Sequence, residues 1–218
     1  MQIHHLSEQR SLLNHFIEEI RSVEKQGDSM RFRRNMERLG EVMAYEMSKT
    51  MSYKTKNVIT PLGTASVNVV SDKIVIGSIL RAGLPFHTGF LNYFDGAENA
   101  FVSAYRKYYD NTHFDIHVEY ISAPALDGKT LILCDPMLAT GSSMVLAYRA
   151  IASSHGKPAK VHIAGIIASK QAVEYVQQHL ADIDVTLWVA AIDPELNDHA
   201  YIVPGIGDAG DLAYGDKL

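Results

Sequence analysis

Apolar positions near the amino terminus recur at helical spacing. Leu12, Leu13, Phe16, Ile17 and Ile20 form one stripe, which predicts an amphipathic helix over residues 6–22. Phe32, Met36, Leu39, Val42, Met43 and Met47 form a second stripe, from about residue 29 to 49. The break Q-G-D-S at 26–29 separates them, with Gly27 ending one helix and Asp28 or Ser29 capping the next. After Pro61 the pattern changes to short apolar runs rich in β-branched residues, at 73–80, 100–105, 130–134, 161–168 and 185–191. Helical patterns lie between them near 84–94, 142–155 and 170–180. Continuous apolar strands alternating with helices predict an α/β fold: an open, mainly parallel twisted sheet flanked by helices. The segment 106–120 is aromatic and polar and reads as a β-hairpin arm or flap. After Pro194 the chain is rich in Gly, Asp and Pro, and reads as too irregular for core structure.

Composition refines this picture only slightly. The 218 residues are 47% hydrophobic and 21% charged, with a formal net charge of -5, as expected of a soluble globular chain. No repeat or linker divides them, so one domain over 1–218 is expected, with helices in 1–50 and a hood from about 192. The acidic balance argues against a nucleic-acid partner, which needs a clustered basic surface. No run approaches the roughly 20 apolar residues of a membrane helix, and the first ten residues lack a signal-peptide pattern. A cytoplasmic protein without a membrane partner is therefore expected. The single cysteine, Cys134, lies inside an apolar run and reads as a buried strand residue.

In an open α/β sheet, ligands bind beyond the carboxyl ends of the strands. That rule selects Arg81-Ala82-Gly83, Tyr105-Arg106, the segment 135–143 and the tail after Ala191. In the third of these, Asp135 is the first charge past a buried run, and Pro136 forces a turn. Met137, Leu138 and Ala139 then lead to Thr140, Gly141, Ser142 and Ser143 at the start of a predicted helix. Free N–H groups and the helix dipole favour an anion there, and Gly141 lets the backbone approach it closely. A carboxylate would repel a phosphate but suits ribose hydroxyls. Together the two describe a ribose 5-phosphate clamp. No Lys follows the glycine, so this is not a Walker loop. Arg81, a fork of fixed donors at a strand end, suits pyrophosphate. His113 and His117 stand four apart, but no third metal ligand has fitting spacing.

The tail holds Gly205-Ile206-Gly207-Asp208-Ala209-Gly210, a match to G-x-G-x-x-G. A dinucleotide fold needs that motif after an early strand and with an acid about 20 residues on, so the match is a decoy. The glycines instead expose backbone donors and acceptors at close range. Such groups can match the alternating edge of a pyrimidine dione, with Tyr201 or Ile202 offering an apolar face. Asn197, Asp198 and His199 read as support for this loop.

D-P-M-L-A-T-G-S-S, I-L-R-A-G-L, the Tyr105-Arg106 pair and the Gly-rich tail occur together and in order. In these motifs the chain resembles the uracil phosphoribosyltransferase family from residue 31 to its end. The resemblance implies a type I phosphoribosyltransferase fold and transfer of phosphoribose from phosphoribosyl pyrophosphate (PRPP) to uracil. It implies that Arg81 and Arg106 contact PRPP together with 135–143, and that the stretch after Arg106 is a mobile flap. It further implies that Ile202, Gly207, Asp208 and Ala209 bind uracil, and that Asp208 faces PRPP through Mg²⁺. The ion is expected on the substrate rather than in a protein cage. Asp208 is also the candidate base for uracil N1. A homodimer or larger homo-oligomer is expected, with GTP as a candidate effector. The chain departs from the family pattern at Ser142, where a second Gly is usual, and at 168–172, where Ala-Ser-Lys-Gln-Ala replaces an Ala-Pro-Glu-Gly type turn. A phosphoribosyltransferase for another base, or a pyrimidine-sensing regulator on the same scaffold, are the alternatives.

Overall fold

The structure is a computed structural model. It describes residues 1–108 and 114–216, with the side chains of these apart from 104–108 and 114–118. In chain order the elements are β1 (Gln2–His5), α1 (Leu12–Arg21), α2 (Ser29–Ser48), β2 (Tyr53–Thr60), β3 (Gly63–Val70), β4 (Ile74–Leu80), α3 (Gly83–Tyr93), β5 (Glu98–Tyr108), β6 (Phe114–Ser122), β7 (Thr130–Cys134), β8 (Met137–Leu138), α4 (Ser142–His155), β9 (Lys160–Ser169), α5 (Lys170–His179), β10 (Val185–Asp193), β11 (Glu195–Leu196), β12 (Ile202–Val203) and α6 (Ala209–Tyr214).

The main sheet runs β1-β10-β9-β7-β4-β5-β6, with β8 added on β9. Its pairings are parallel except β5 with β6. The expected class is therefore observed. Alternate residues of the same strands feed two cores. Ile76, Ile132 and Trp188 pack on one face with α1, α2 and α3, while Val75, Leu131, Leu133 and Ile163 pack on the other with α4 and α5. This period of two, with both faces apolar, is why the strands read as unbroken hydrophobic runs. Phe86 and Phe90 of α3 meet edge to face at 5.1 Å, a pairing worth about 1 kcal/mol beyond its burial.

Three details differ from the sequence reading. The first helix begins at Leu12 rather than residue 6, because the Ser11 side chain caps it by accepting the Leu13 N–H at 3.3 Å. Leu12 itself is exposed. Residues 2–5 form an edge strand, on which His4 stacks flat against Trp188 at 3.8 Å. Last, β2 and β3 pair over eight positions as a hairpin separate from the main sheet. Of the two candidate caps for α2, Asp28 is the one used: its carboxylate accepts the Arg31 N–H at 3.1 Å. Cys134 is fully buried, with its thiol bonded to the Gly77 carbonyl at 3.0 Å, and burial pushes its pKa up.

Candidate active site

Strands β4, β5, β7, β9 and β10 run parallel, so residues 80, 108, 134, 169 and 193 end at one edge. Three of the four segments selected from the sequence are linked there. Arg81 of the first donates to Asp211 and Gly215 of the tail, and a β-carbon at Gly83 would lie 3.3 Å from the Cys134 carbonyl, where the third begins.

The 135–143 segment lies on β9. The Asp135 N–H donates to the Ala164 carbonyl at 3.1 Å, and the Pro136 carbonyl accepts from Ile166 and Ile167 at 3.1 and 2.9 Å. Met137 and Leu138 then form β8, so this part of the segment is strand rather than free loop. Asp135 sits at the strand end, with its carboxylate accepting the Met137 N–H at 3.3 Å. Burial outweighs that bond and pushes its pKa up to about 7, so the group is poised between charge states near neutrality. Gly141 precedes α4 with φ +80°, a left-handed conformation that side chains disfavour. A β-carbon there would also lie 2.9 Å from the Ala172 carbonyl. The Thr140 and Ser142 hydroxyls bond each other at 2.6 Å across the turn. Ser169, in the 168–172 turn that departs from the family pattern, supports this segment. Its hydroxyl donates to the Ala139 carbonyl at 2.5 Å and accepts the Ala172 N–H at 2.9 Å, capping α5. The signal for it was a serine directly before a helical pattern.

Arg81 follows β4 through a cis peptide with Leu80. Its Nη2 donates to Asp211 Oδ1 at 3.2 Å and to the Gly215 carbonyl at 3.3 Å. Its Nε is buried with no partner among the described residues. Gly83 brings this turn against the β7 end, because a β-carbon there would meet Ser78 Oγ at 2.5 Å and the Cys134 carbonyl at 3.3 Å. Arg106 lies on β5 with its backbone opposite Ile116 on β6. Its side chain, that of His117, and His113 altogether lie outside the described residues, as does the 109–113 tip of the expected flap. The antiparallel β5–β6 pair forms the base of that arm.

The tail corrects the expectation that it stays out of the core. Ile202, Ile206, Ala209 and Ala213 are buried, and α6 closes the segment. It is anchored from afar. Asp193 receives both Nη1 and Nη2 of Arg21 at 2.9 and 2.7 Å and the Gly205 N–H at 2.8 Å, while Arg21 also donates to the Gly205 carbonyl at 2.9 Å. The Asn197 side chain accepts from the His199 and Tyr201 N–H groups at 3.0 and 2.9 Å, a turn-holding role. Tyr201 is exposed, whereas Ile202 turns its side chain into the core. Of the two apolar faces considered, Tyr201 is the accessible one. Gly207 is exposed with φ +85°, Asp208 caps α6 by accepting the Asp211 N–H at 2.9 Å, and Ala209 is buried.

The parallel sheet, with loops gathered at the carboxyl ends of its strands, defines an α/β protein of the open-sheet class, in which ligands bind beyond those ends. A family model described as uracil phosphoribosyltransferase matches residues 7–216. The chain is 60% identical to a uracil phosphoribosyltransferase of Porphyromonas gingivalis over 218 residues, the whole of both chains. It is 42% identical over 190 residues to one from Methanothermobacter thermautotrophicus, covering 86% of this chain and 85% of that protein. Among solved structures, the AQ2163 protein from Aquifex aeolicus superposes with a TM-score of 0.87 at 32% identity, over 98% of each chain. The chain belongs to the uracil phosphoribosyltransferase family.

Proposed function

We propose that this chain transfers the 5-phosphoribosyl group of PRPP to uracil, yielding UMP and pyrophosphate. The observation that carries the reading is the bond between the strand-end arginine and the tail: Arg81 Nη2 donates to Asp211 Oδ1 at 3.2 Å and to the Gly215 carbonyl at 3.3 Å. On this reading an acid for the ribose hydroxyls, a helix start for the phosphate, an arginine for the pyrophosphate and an exposed glycine backbone for the base all belong to loops at the carboxyl edge of the sheet. The N1–C1′ bond forms as the bond from C1′ to the pyrophosphate oxygen breaks, and Asp208 takes the N1 proton. Arg81 and Arg106 neutralise the charge that grows on the leaving pyrophosphate. Asp135 holds the ribose hydroxyls, and 140–143 hold the 5-phosphate, so the sugar is fixed at both ends before reaction. Backbone at 202 and 207–209 reads the uracil edge. Bound Mg²⁺ supplies further charge neutralisation at the pyrophosphate. The ion would be held mainly by PRPP, with the Asp208 carboxylate facing it rather than caging it.

The working form is a homo-oligomer in the cytoplasm, where its phosphorylated substrates reside. The β2–β3 hairpin supports assembly, because it stands off the main sheet with Ile59 89% and Leu62 fully exposed. Among the described residues no helix is long and apolar enough to cross a membrane. GTP is a candidate effector to be added to the assay. Purified protein given uracil, PRPP and Mg²⁺ should form UMP and pyrophosphate in equal amounts. Turnover with another base but not uracil would overturn the base assignment, and no turnover with any base would overturn the reaction.

A further inference from the structure

Asp211 belongs to neither the phosphate loop nor the backbone edge at 207–209, yet it is bound to the strand-end arginine. Arg81 Nη2 donates one hydrogen bond to Asp211 Oδ1 at 3.2 Å and another to the Gly215 carbonyl at 3.3 Å. Both hydrogens of that nitrogen are thus engaged by the tail. A guanidinium is planar and rigid, so fixing one nitrogen with two acceptors sets the orientation of the whole fork. The helix that carries Asp211 is itself pinned. Asp208 accepts the Asp211 N–H at 2.9 Å, and Arg33 of α2 donates to the Ala213 carbonyl at 2.7 Å. Nε of Arg81 is buried and has no partner among the described residues, a costly state for a charged donor. An anion drawn to this guanidinium meets a fork that is already oriented.

We infer that Asp211 is a positioning residue for PRPP, holding Arg81 by Nη2 and so fixing the orientation in which its guanidinium meets the pyrophosphate. The inference rests on the reading of Arg81 as a pyrophosphate ligand. The alternative is a competing role, in which Asp211 occupies the arginine and must be displaced. The two differ in sign. A positioning acid lowers the KM for PRPP, and a competing acid raises it.

The test is steady-state kinetics on the full-length protein. Asp211→Ala should raise the KM for PRPP about tenfold, within the usual range of coupling between two groups, and leave the KM for uracil within about twofold. Asp211→Glu should restore most of the loss. Added to Arg81→Ala, Asp211→Ala should change PRPP kinetics no further, since the group it acts through is gone. An unchanged or lowered KM for PRPP, an equal rise in both KM values, or additivity in the double variant would each overturn the inference. Arg81→Ala alone separates the two levels. If it leaves PRPP kinetics intact, the reading of Arg81 itself falls. If it impairs them while Asp211→Ala does not, only the role of Asp211 falls.

Discussion

The phosphate loop and the C-terminal tail are built on opposite plans. The loop places its acid, its left-handed glycine and its hydroxyls within nine consecutive residues, and its supports are β9 and the start of α5. The tail offers mainly backbone and is held by side chains remote in sequence. Arg21 reaches Gly205 across 184 residues, Arg33 reaches Ala213 across 180, and Arg81 reaches Asp211 across 130. A site for a fixed polyanion can be local, since one helix start and one turn supply the donors. A flat base read by backbone edges needs its loop immobilised, and only the rest of the fold can do that.

The loop should break most severely, and locally. Gly141→Ala adds a left-handed penalty of about 1–2 kcal/mol. It also adds a β-carbon 2.9 Å from the Ala172 carbonyl. The helix start must shift, and displacements near 1 Å at a reacting group cost on the order of 100-fold. Expected is a fall of that size in kcat/KM for PRPP, with the KM for uracil within about twofold of the parent. Equal damage to both substrates would mean that the loop is not self-contained.

The tail should break through a residue that touches no substrate. Asp193 is buried, and Asp193→Ala removes the acceptor of two Arg21 bonds and of the Gly205 N–H. Removing one partner of such a pair costs on the order of 3 kcal/mol of stability. The KM for uracil should rise about 30-fold, the equivalent of ~2 kcal/mol of lost alignment, and the KM for PRPP much less. Calorimetric melting and the two KM values check this together. An unchanged uracil KM in a destabilised protein would detach the base site from its anchor.

The same contrast explains what the sequence disclosed. The strands were legible because both faces of the sheet are covered, so apolar residues run without interruption. The 135–143 segment stood out as a candidate phosphate loop because Asp135, Gly141 and the hydroxyls are neighbours in the chain. The β2–β3 hairpin was hidden because nearly all of its positions are exposed, which leaves no face for alternation to mark. β1 was hidden because it has four residues and uses a histidine, His4, as its aromatic surface against Trp188. The buried tail was missed because Pro204, Gly205 and Gly207 break the run that Ile202, Ile206, Ala209 and Ala213 would otherwise mark at helical spacing. Arg21 and Asp193 look like ordinary charged residues until the fold joins them. In Ser169 the cap was readable, but its bond to the Ala139 carbonyl was not.

The smallest predicted effect sharpens the comparison by pH. Asp135 has its folded pKa raised to about 7 by burial, well above its unfolded value. A raised carboxyl pKa means that the folded state binds the extra proton, so this group favours folding at low pH and loses that contribution as pH rises through about 7. Function runs the other way, because the ionised carboxylate is the better acceptor for ribose hydroxyls. Between about pH 6 and pH 8 its charged fraction rises roughly tenfold, and kcat/KM for PRPP should rise by about that factor. Asp135→Asn keeps an acceptor but cannot titrate. Any pH dependence that belongs to the phosphates of PRPP persists in that variant, so the difference between the two profiles isolates Asp135. If the edge of the base is read by backbone groups, which do not titrate, the uracil KM should change much less than kcat/KM for PRPP over the same interval. A profile that Asp135→Asn leaves unchanged would remove the carboxylate from the ribose end of the site, while the helix start at Gly141 would keep its phosphate.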